Sequence, residues 1–393
     1  MTHDPLAGCV PERTVERVLE RARLVLPDEV IDDGHVVMRG SCIVAIGRGA
    51  SRVAGAIDLD GDWLLPGLVE VHTDNLERHV MPRPQVMFPM IGAVQAHDAE
   101  IAAAGITTVL DAIGVGDPYG DGFRARDQSE LLAVLDLLES AGTLRCDHHV
   151  HVRCELPAPN ARELFEPFAG HRRLRLISLM DHTPGQRQWT DIRHARTYYT
   201  GKKGWSDERF DAEVERAPQR QREHAEPNRT WFSAHARASG VALATHDDTT
   251  ASHVEQARAI GARMSEFPTT LEAARLAHAL GLSTVAGAPN VVRGGSHSGN
   301  VAALDLARAG VLDALSSDYV PTSLLQAAWR LHHEGGLTMP KAVRTVTRAP
   351  ALACGLEDRG ALAPGLRADV VRVREVHGLP AVREVWRDGR RVI

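Results

Sequence analysis

The sequence predicts an α/β fold: a TIM-like (β/α)8 barrel carrying a small composite β-sandwich made from its N- and C-terminal segments. Three observations carry this reading. From residue 64 to about residue 319, short apolar runs alternate with longer helical stretches, the pattern of a parallel α/β sheet. The apolar runs number eight, as a closed barrel of this type requires. On either side of that block the chain changes to short β-prone stretches separated by glycine turns.

In order, the candidate barrel strands are 64–71, 107–113, 148–155, 174–181, 241–245, 263–267, 283–286 and 311–316. Helices are expected between them, notably over 128–140, 207–235, 270–279 and 299–309. Residues 201–228 are polar and charge-rich, which predicts a solvated helix or a lid. Stretches 36–53 and 57–59 near one end, and 369–373 and 382–392 near the other, read as strands, with Asp388-Gly389 as a hairpin turn. Chain ends often lie close together, so these strands are expected to join in one sandwich. The predicted division is therefore 1–63 and 351–393 for the sandwich, and 64–350 for a metal-dependent hydrolase barrel.

Bulk properties exclude several classes. A net charge of −6 and 4% aromatic residues argue against a general nucleic-acid binder, which needs basic patches and stacking platforms. No apolar run is long enough for a bilayer span and none near the start resembles a signal segment, so a cytoplasmic protein without a membrane partner is expected. Five scattered cysteines with no C-x-x-C pair suggest reduced thiols rather than a disulfide framework.

Chemistry-bearing residues gather at the predicted strand ends, where barrel enzymes place their sites. His72-Thr73-Asp74 follows the first strand, and alternation along a strand points His72 and Asp74 the same way. An imidazole and a carboxylate at that spacing suit a divalent metal. An isolated H-x-D is more often a loop histidine beside a solvated aspartate; its place after a strand, with more ligand types at later strand ends, favours the metal. Glu155, His182, His246 and Asp318 complete a predicted set of six ligands able to hold two divalent ions. None of the three lysines, Lys202, Lys203 and Lys341, stands at a strand end, so Glu155 is the expected bridge between the metals; its bland alternative is a pairing with Arg153 or with another group behind the ligands. Asp318 is also the expected catalytic base, because a carboxylate beside such a centre can take a proton from water.

A cationic layer surrounds these ligands. Arg83 follows the H-x-D motif, Arg187 and Arg293 follow the fourth and seventh strands, and Lys202-Lys203 lie in the charged insertion. Guanidinium forks and glycine-rich loops such as 290–300 (NVVRGGSHSGN) suit phosphate oxygens, although no Walker-type P-loop is present. Single surface arginines are mostly solvated or salt-bridged. Their grouping at the same strand ends makes Arg83, Arg187, Arg293, Lys202 and Lys203 the expected phosphate contacts, with Asn75, Glu77 and Asn290 as substrate-orienting or structural residues.

The stretches PGLVEVHTDNLERHVMPRP, SLMDHTPGQRQ, THDD, SEFPTTLEAA, GAPNVVRGGSHSGN and SSDY resemble the PhnM branch of the amidohydrolase superfamily. The likeness runs from about residue 64 to residue 350, and the flanking β segments, including ADVVRV, resemble that superfamily's sandwich. It implies hydrolysis of α-D-ribose 1-methylphosphonate 5-triphosphate to the 5-phosphate and pyrophosphate in the carbon–phosphorus lyase pathway of phosphonate catabolism. It also implies a divalent-metal cofactor, with two ions expected, zinc favoured and manganese or another transition metal the alternative. The implied partner is a small ribosyl triphosphate, with room for a homo-oligomer and for association with other proteins of that pathway. His72-Thr73-Asp74 departs from the superfamily's usual H-x-H in the manner of this branch. The expected mechanism is in-line attack of hydroxide on a phosphorus of the triphosphate. Two other readings stay open: a cyclic amidase or deaminase on the same scaffold, and a non-catalytic scaffold, against which the complete ligand set argues.

Overall fold

The structure is a computed structural model that describes residues 16–83, 86–119, 128–201, 204–296 and 299–393. Strands β1 (Glu16–Val25), β2 (Val30–Arg39), β3 (Cys42–Arg48), β4 (Ile57–Asp58) and β5 (Trp63–Pro66) open the chain. Next come β6 (Leu68–Thr73), β7 (Ile106–Val115), β8 (Asp147–Glu155), β9 (Leu174–Met180), β10 (Ala242–His246), β11 (Met264–Glu266), β12 (Ser283–Gly287) and β13 (Ala314–Ser316). These eight pair in parallel in sequence order, and a bridge between Thr73 and Asp318 brings β13 back to β6. The predicted barrel is present.

Its interior is apolar below and polar above. Val69, Val71, Leu110, Leu176, Ala242, Ala244, Met264, Val285 and Ala314 fill the lower interior, and Ala351, Ala353, Cys354 and Leu356 close it from beneath. Strand β8 shows how sequence builds the upper part. Val150, Val152 and Cys154 pack outward into the core that also holds helix residues Leu131, Leu135 and Phe232. Alternation then turns His149, His151, Arg153 and Glu155 toward the barrel axis.

The second sheet joins both chain ends. Strands β14 (Val370–Val376), β15 (Leu379–Arg387) and β16 (Arg390–Arg391) continue it in the order β16-β15-β14-β5-β1-β2-β3, with β4 on β1. Alternation divides its residues between two cores. Leu24, Leu64, Val370 and Trp386 enclose the sheet's own core. Their neighbours Val25, Leu65, Val371 and Val385 pack against Ile101, Trp329 and Val343 of the helices around the barrel. The single strand expected over 64–71 is in fact two: Pro66-Gly67 ends β5 in this sheet and starts β6 in the barrel. A Cβ at Gly67 would lie 2.2 Å from Thr107 Oγ1, so only glycine fits the crossing.

The helix expected over 207–235 runs from Asp207 to Ser239, with Ser206 accepting from the Arg209 amide at its start and Gly240 in the left-handed conformation after its end. No described helix is long and apolar enough to cross a membrane. Cys146, Cys154 and Cys354 are buried free thiols, whereas Cys42 is disulfide-bonded, against the expectation of reduced cysteines throughout.

Asp147 ties the barrel to the C-terminal segment. Its Oδ2 accepts from Arg359 at 2.6 Å and from Arg367 at 2.9 Å, and Arg359 also donates to Thr108 Oγ1. Removing its charge takes one carboxylate from each arginine, and Arg359 and Arg367 keep Asp358 and Asp369 as their other partners. Asp147→Asn is expected to destabilise the protein by about 1.5–3 kcal/mol, read as a lower thermal midpoint; an unchanged midpoint would contradict this role.

Candidate metal centre

The upper rim gathers donors from five strands. His72 ends the buried run of β6, His182 follows β9, His246 ends β10, Glu266 ends β11 and Asp318 follows β13. Three backbone turns aim this set: Asp247, Phe267 and Asp318 have φ of 55°, 53° and 53°, the left-handed region that non-glycine residues seldom occupy. Such residues cluster where surrounding structure holds a side chain in a working direction.

The donors form an arc. His72 Nδ1–H donates to Glu266 Oε1 at 3.2 Å, which leaves Nε2 facing Asp74 Oδ1 at 4.0 Å. His182 repeats the arrangement: Nδ1–H donates to Glu155 Oε2 at 2.6 Å, and Nε2 lies 4.0 Å from Asp247 Oδ2. A histidine that gives one ring hydrogen to a carboxylate and keeps the other nitrogen free is the usual form of an oriented metal ligand. His246 stands between the two halves, with Nδ1 3.5 Å from Glu266 Oε2 and Nε2 3.6 Å from Asp247 Oδ2. Donor atoms of His72, Asp74 and Asp318, of His72, His246 and Glu266, and of His182, His246 and Asp247 lie within ion-binding reach in each group. Adjacent groups share His72 or His246.

Buried polar atoms support the fit to a cation. His246 Nδ1 and His151 Nε2 are buried without a hydrogen-bond partner. His151 gives its Nδ1 hydrogen to the Val71 carbonyl at 2.9 Å and turns Nε2 toward Glu266. Burial drives the His151 imidazole down to about 3, so at neutral pH it is an uncharged ring with a free lone pair. Burial alone would raise Glu266, but the His151, His72 and His246 rings hold it well below the ordinary carboxylate range. Asp318 moves the other way: burial and the charge of Asp74 raise its carboxyl, against the pull of His72 and Arg153.

Glu70 holds the arc together. Its Oε1 accepts the His72 amide at 2.7 Å and its Oε2 accepts the Ser317 amide at 2.6 Å. Burial raises its carboxyl to about 8 despite those two donors. The barrel seam is completed by backbone bonds from Asp318 to the His72 carbonyl and from Asp74 to the Asp318 carbonyl.

Several expected site residues stand elsewhere. Glu155 is behind His182, accepting from both its ring and its backbone amide, and is in none of the donor groups among the described residues. Arg187 is buried behind His246, donating to that residue's carbonyl and to Asp248. Arg83 is exposed on the loop after the helix that follows β6, and Arg293 is exposed at the end of the short helix Ala288–Arg293 after β12. Asn290 secures its own loop through the Val301 carbonyl and the Ala303 amide. Lys202 and Lys203 lie outside the described residues. A cation that does face the rim is Arg153, mostly buried and ion-paired with Asp74. Glu70, His151, Arg153, Asp247 and Glu266 were not among the predicted site residues. Alternating polar residues at 149, 151, 153 and 155 were the available signal for His151 and Arg153.

Comparison with known proteins follows this geometry. A family model described as the amidohydrolase family matches residues 189–393. The alpha-D-ribose 1-methylphosphonate 5-triphosphate diphosphatase of Escherichia coli (strain K12) is 42% identical over 377 residues, covering 95% of this chain and all of that protein. The chain belongs to the amidohydrolase family. Amidohydrolases are typically metal-dependent, in keeping with the donor groups above. Among solved structures, N-acetyl-D-glucosamine-6-phosphate deacetylase from Mycobacterium smegmatis superposes with a TM-score of 0.63 at 19% identity, over 96% of this chain and 100% of that one. Dihydropyrimidinase from Brevibacillus agri gives 0.57 at 14% identity, over 96% and 95%. These two likenesses concern the amidohydrolase fold alone.

Glu266→Gln keeps the shape of the side chain but removes the charge that faces three imidazoles. It is expected to weaken divalent-metal affinity by roughly ten- to a hundredfold, measured by titrating metal into chelator-treated protein. Wild-type affinity in that variant would remove Glu266 from the centre.

Proposed function

We propose that this protein hydrolyses α-D-ribose 1-methylphosphonate 5-triphosphate to the corresponding 5-phosphate and pyrophosphate, a step in phosphonate catabolism. The observation that carries this reading is the end-to-end similarity to the Escherichia coli diphosphatase, in a chain whose strand ends hold a complete donor arc. Water's oxygen joins the α or the β phosphorus, the P–O–P link between those two breaks, and the products are the 5-phosphate and pyrophosphate.

His72, Asp74, His182, His246 and Asp318, with Asp247 and Glu266 beside them, would hold the divalent metal. Two ions are proposed, zinc first and manganese as the alternative. When bound, divalent metal lowers the pKa of water toward neutrality and draws charge from phosphoryl oxygens. The protein's own groups do the rest. Glu266 and Glu155 fix the ring orientation of His72 and His182. Asp318, raised by burial and by Asp74, is a stronger base than an ordinary carboxylate and takes the proton of the attacking water. Arg153 brings a fixed positive charge to the same rim, where developing negative charge gains most from preset cations. Arg83 and Arg293, with Lys202 and Lys203, are proposed to meet the polyphosphate as it enters, while Arg187 supports the His246 backbone. The protein is proposed to act in the cytoplasm on this small molecule.

The test is pyrophosphate release from the ribosyl triphosphate at saturating divalent metal. Asp318→Asn is expected to lower the rate by about 10²–10⁴-fold. A variant as fast as wild type would remove Asp318 from proton transfer, and wild-type protein inert on this substrate would overturn the assignment.

A further inference from the structure

A second polar cluster lies outside the barrel, in the layer between its wall and the first two helices, α1 (Asn75–Val80) and α2 (Met90–Ala103). His97 and Asp98 of α2, Asp111 of β7 and His148 of β8 are each no more than 1% exposed. Their surroundings are ordinary interface hydrophobes, with Val94 of α2 and Val150 and Val152 of β8 in one core and Ile101 and Val109 in another. Apolar residues would serve stability there at least as well as buried charges. What a hydrogen-bonded chain adds is direction.

That direction can be derived bond by bond. Asn75 Nδ2 donates to the Glu100 carboxylate at 3.0 Å and lies 3.0 Å from His97 Nδ1. An amide nitrogen can only donate, so His97 Nδ1 accepts and the ring hydrogen sits on Nε2. Nε2–H donates to Asp111 Oδ1 at 2.7 Å. His148 donates from Nδ1 to Asp111 Oδ2 at 2.8 Å and from Nε2 to Asp98 Oδ1 at 3.3 Å. Asp98 accepts in turn from the Arg145 and Cys146 amides, each at 2.9 Å. Burial would discharge His148, but Asp111 and Asp98 outweigh it and raise the ring to about 9. Both its nitrogens therefore carry hydrogen at neutral pH, and neither has a lone pair for an ion. Donor atoms of His97, Asp111 and His148 also lie within ion-binding reach of one another, and both His148 nitrogens face carboxylate oxygens as hydrogen-bond donors.

The far end of this chain reaches the metal centre. Asn75 is the residue after Asp74 and the first residue of α1. Its backbone N–H donates to Thr73 Oγ1 at 3.2 Å, and that hydroxyl donates to the Asp318 carbonyl at 2.9 Å. We propose that the chain Asp98–His148–Asp111–His97–Asn75 is a positioning device, which fixes the start of α1 and thereby presents the Asp74 carboxylate to the metal centre. The proposal rests on the reading of Asp74 as a metal ligand.

The test measures zinc and manganese dissociation constants by competition with a chelating dye, together with the thermal midpoint of the metal-free protein. Asn75→Ala cuts the last link without disturbing a buried charge. It is expected to weaken metal binding by about tenfold with little change in midpoint. His97→Ala is expected to weaken it at least as much, and His97→Gln, which keeps a donor toward Asp111 and an acceptor toward Asn75, to recover most of the loss. Wild-type affinity in both Asn75→Ala and His97→Ala, whatever their midpoints, would overturn the proposal and leave the chain a structural tie. Asp74→Asn separates the two readings: unchanged affinity there would remove Asp74 from the centre itself.

Discussion

Barrel closure at the seam between β6 and β13 is the constraint on which the site depends. The β13 strand is three residues long, and its contact with β6 is a bridge rather than a full ladder. A short seam leaves backbone amides in need of partners inside a barrel that holds no bulk solvent. Glu70 supplies two acceptors at that point, one for His72 and one for Ser317. The same contact that closes the fold therefore sets the separation between the first strand's ligands and Asp318. Burial and the Asp318 carboxylate make this a costly place for a carboxyl group, and its two amide donors offset that cost.

Much of the barrel was legible because both faces of a parallel strand are buried, so each strand reads as an apolar run between turn signals. The boundaries that failed did so for tertiary reasons. Residues 63–73 form one apolar stretch, and only pairing decides that Trp63–Pro66 joins the end sheet while Leu68–Thr73 joins the barrel. The long helix passes through Pro218 and Pro227, which a local reading treats as breakers. The division of the end sheet's residues between two cores follows simple alternation, but which core each face meets depends on the helices laid against it.

The candidate site was legible as far as strand ends decide which residues meet. His72, Asp74, His182, His246 and Asp318 come together in this way. Glu266 closes β11 as visibly, yet its meaning depends on three imidazoles from β6, β8 and β10 that converge only in the folded barrel. The arginines show the opposite case. Grouping near strand ends in the sequence did not predict which way each guanidinium turns: Arg187 faces back toward Asp248, whereas Arg153, in mid-pattern on β8, turns into the rim.

The aspartate in His72-Thr73-Asp74 gains a physical reason from this arrangement. Asp74 is both a candidate donor beside His72 and Asp318 and the ion-pair partner of the mostly buried Arg153 guanidinium. A histidine in its place would bring either no charge or a positive one, and Arg153 would lose its direct ion-pair partner and keep only the carboxylates of Glu77 and Asp318 nearby. The carboxylate thus lets a metal centre and a fixed cation share one rim. For a substrate whose reacting end is a chain of phosphates, that pairing places two kinds of positive charge where one polyanion must bind.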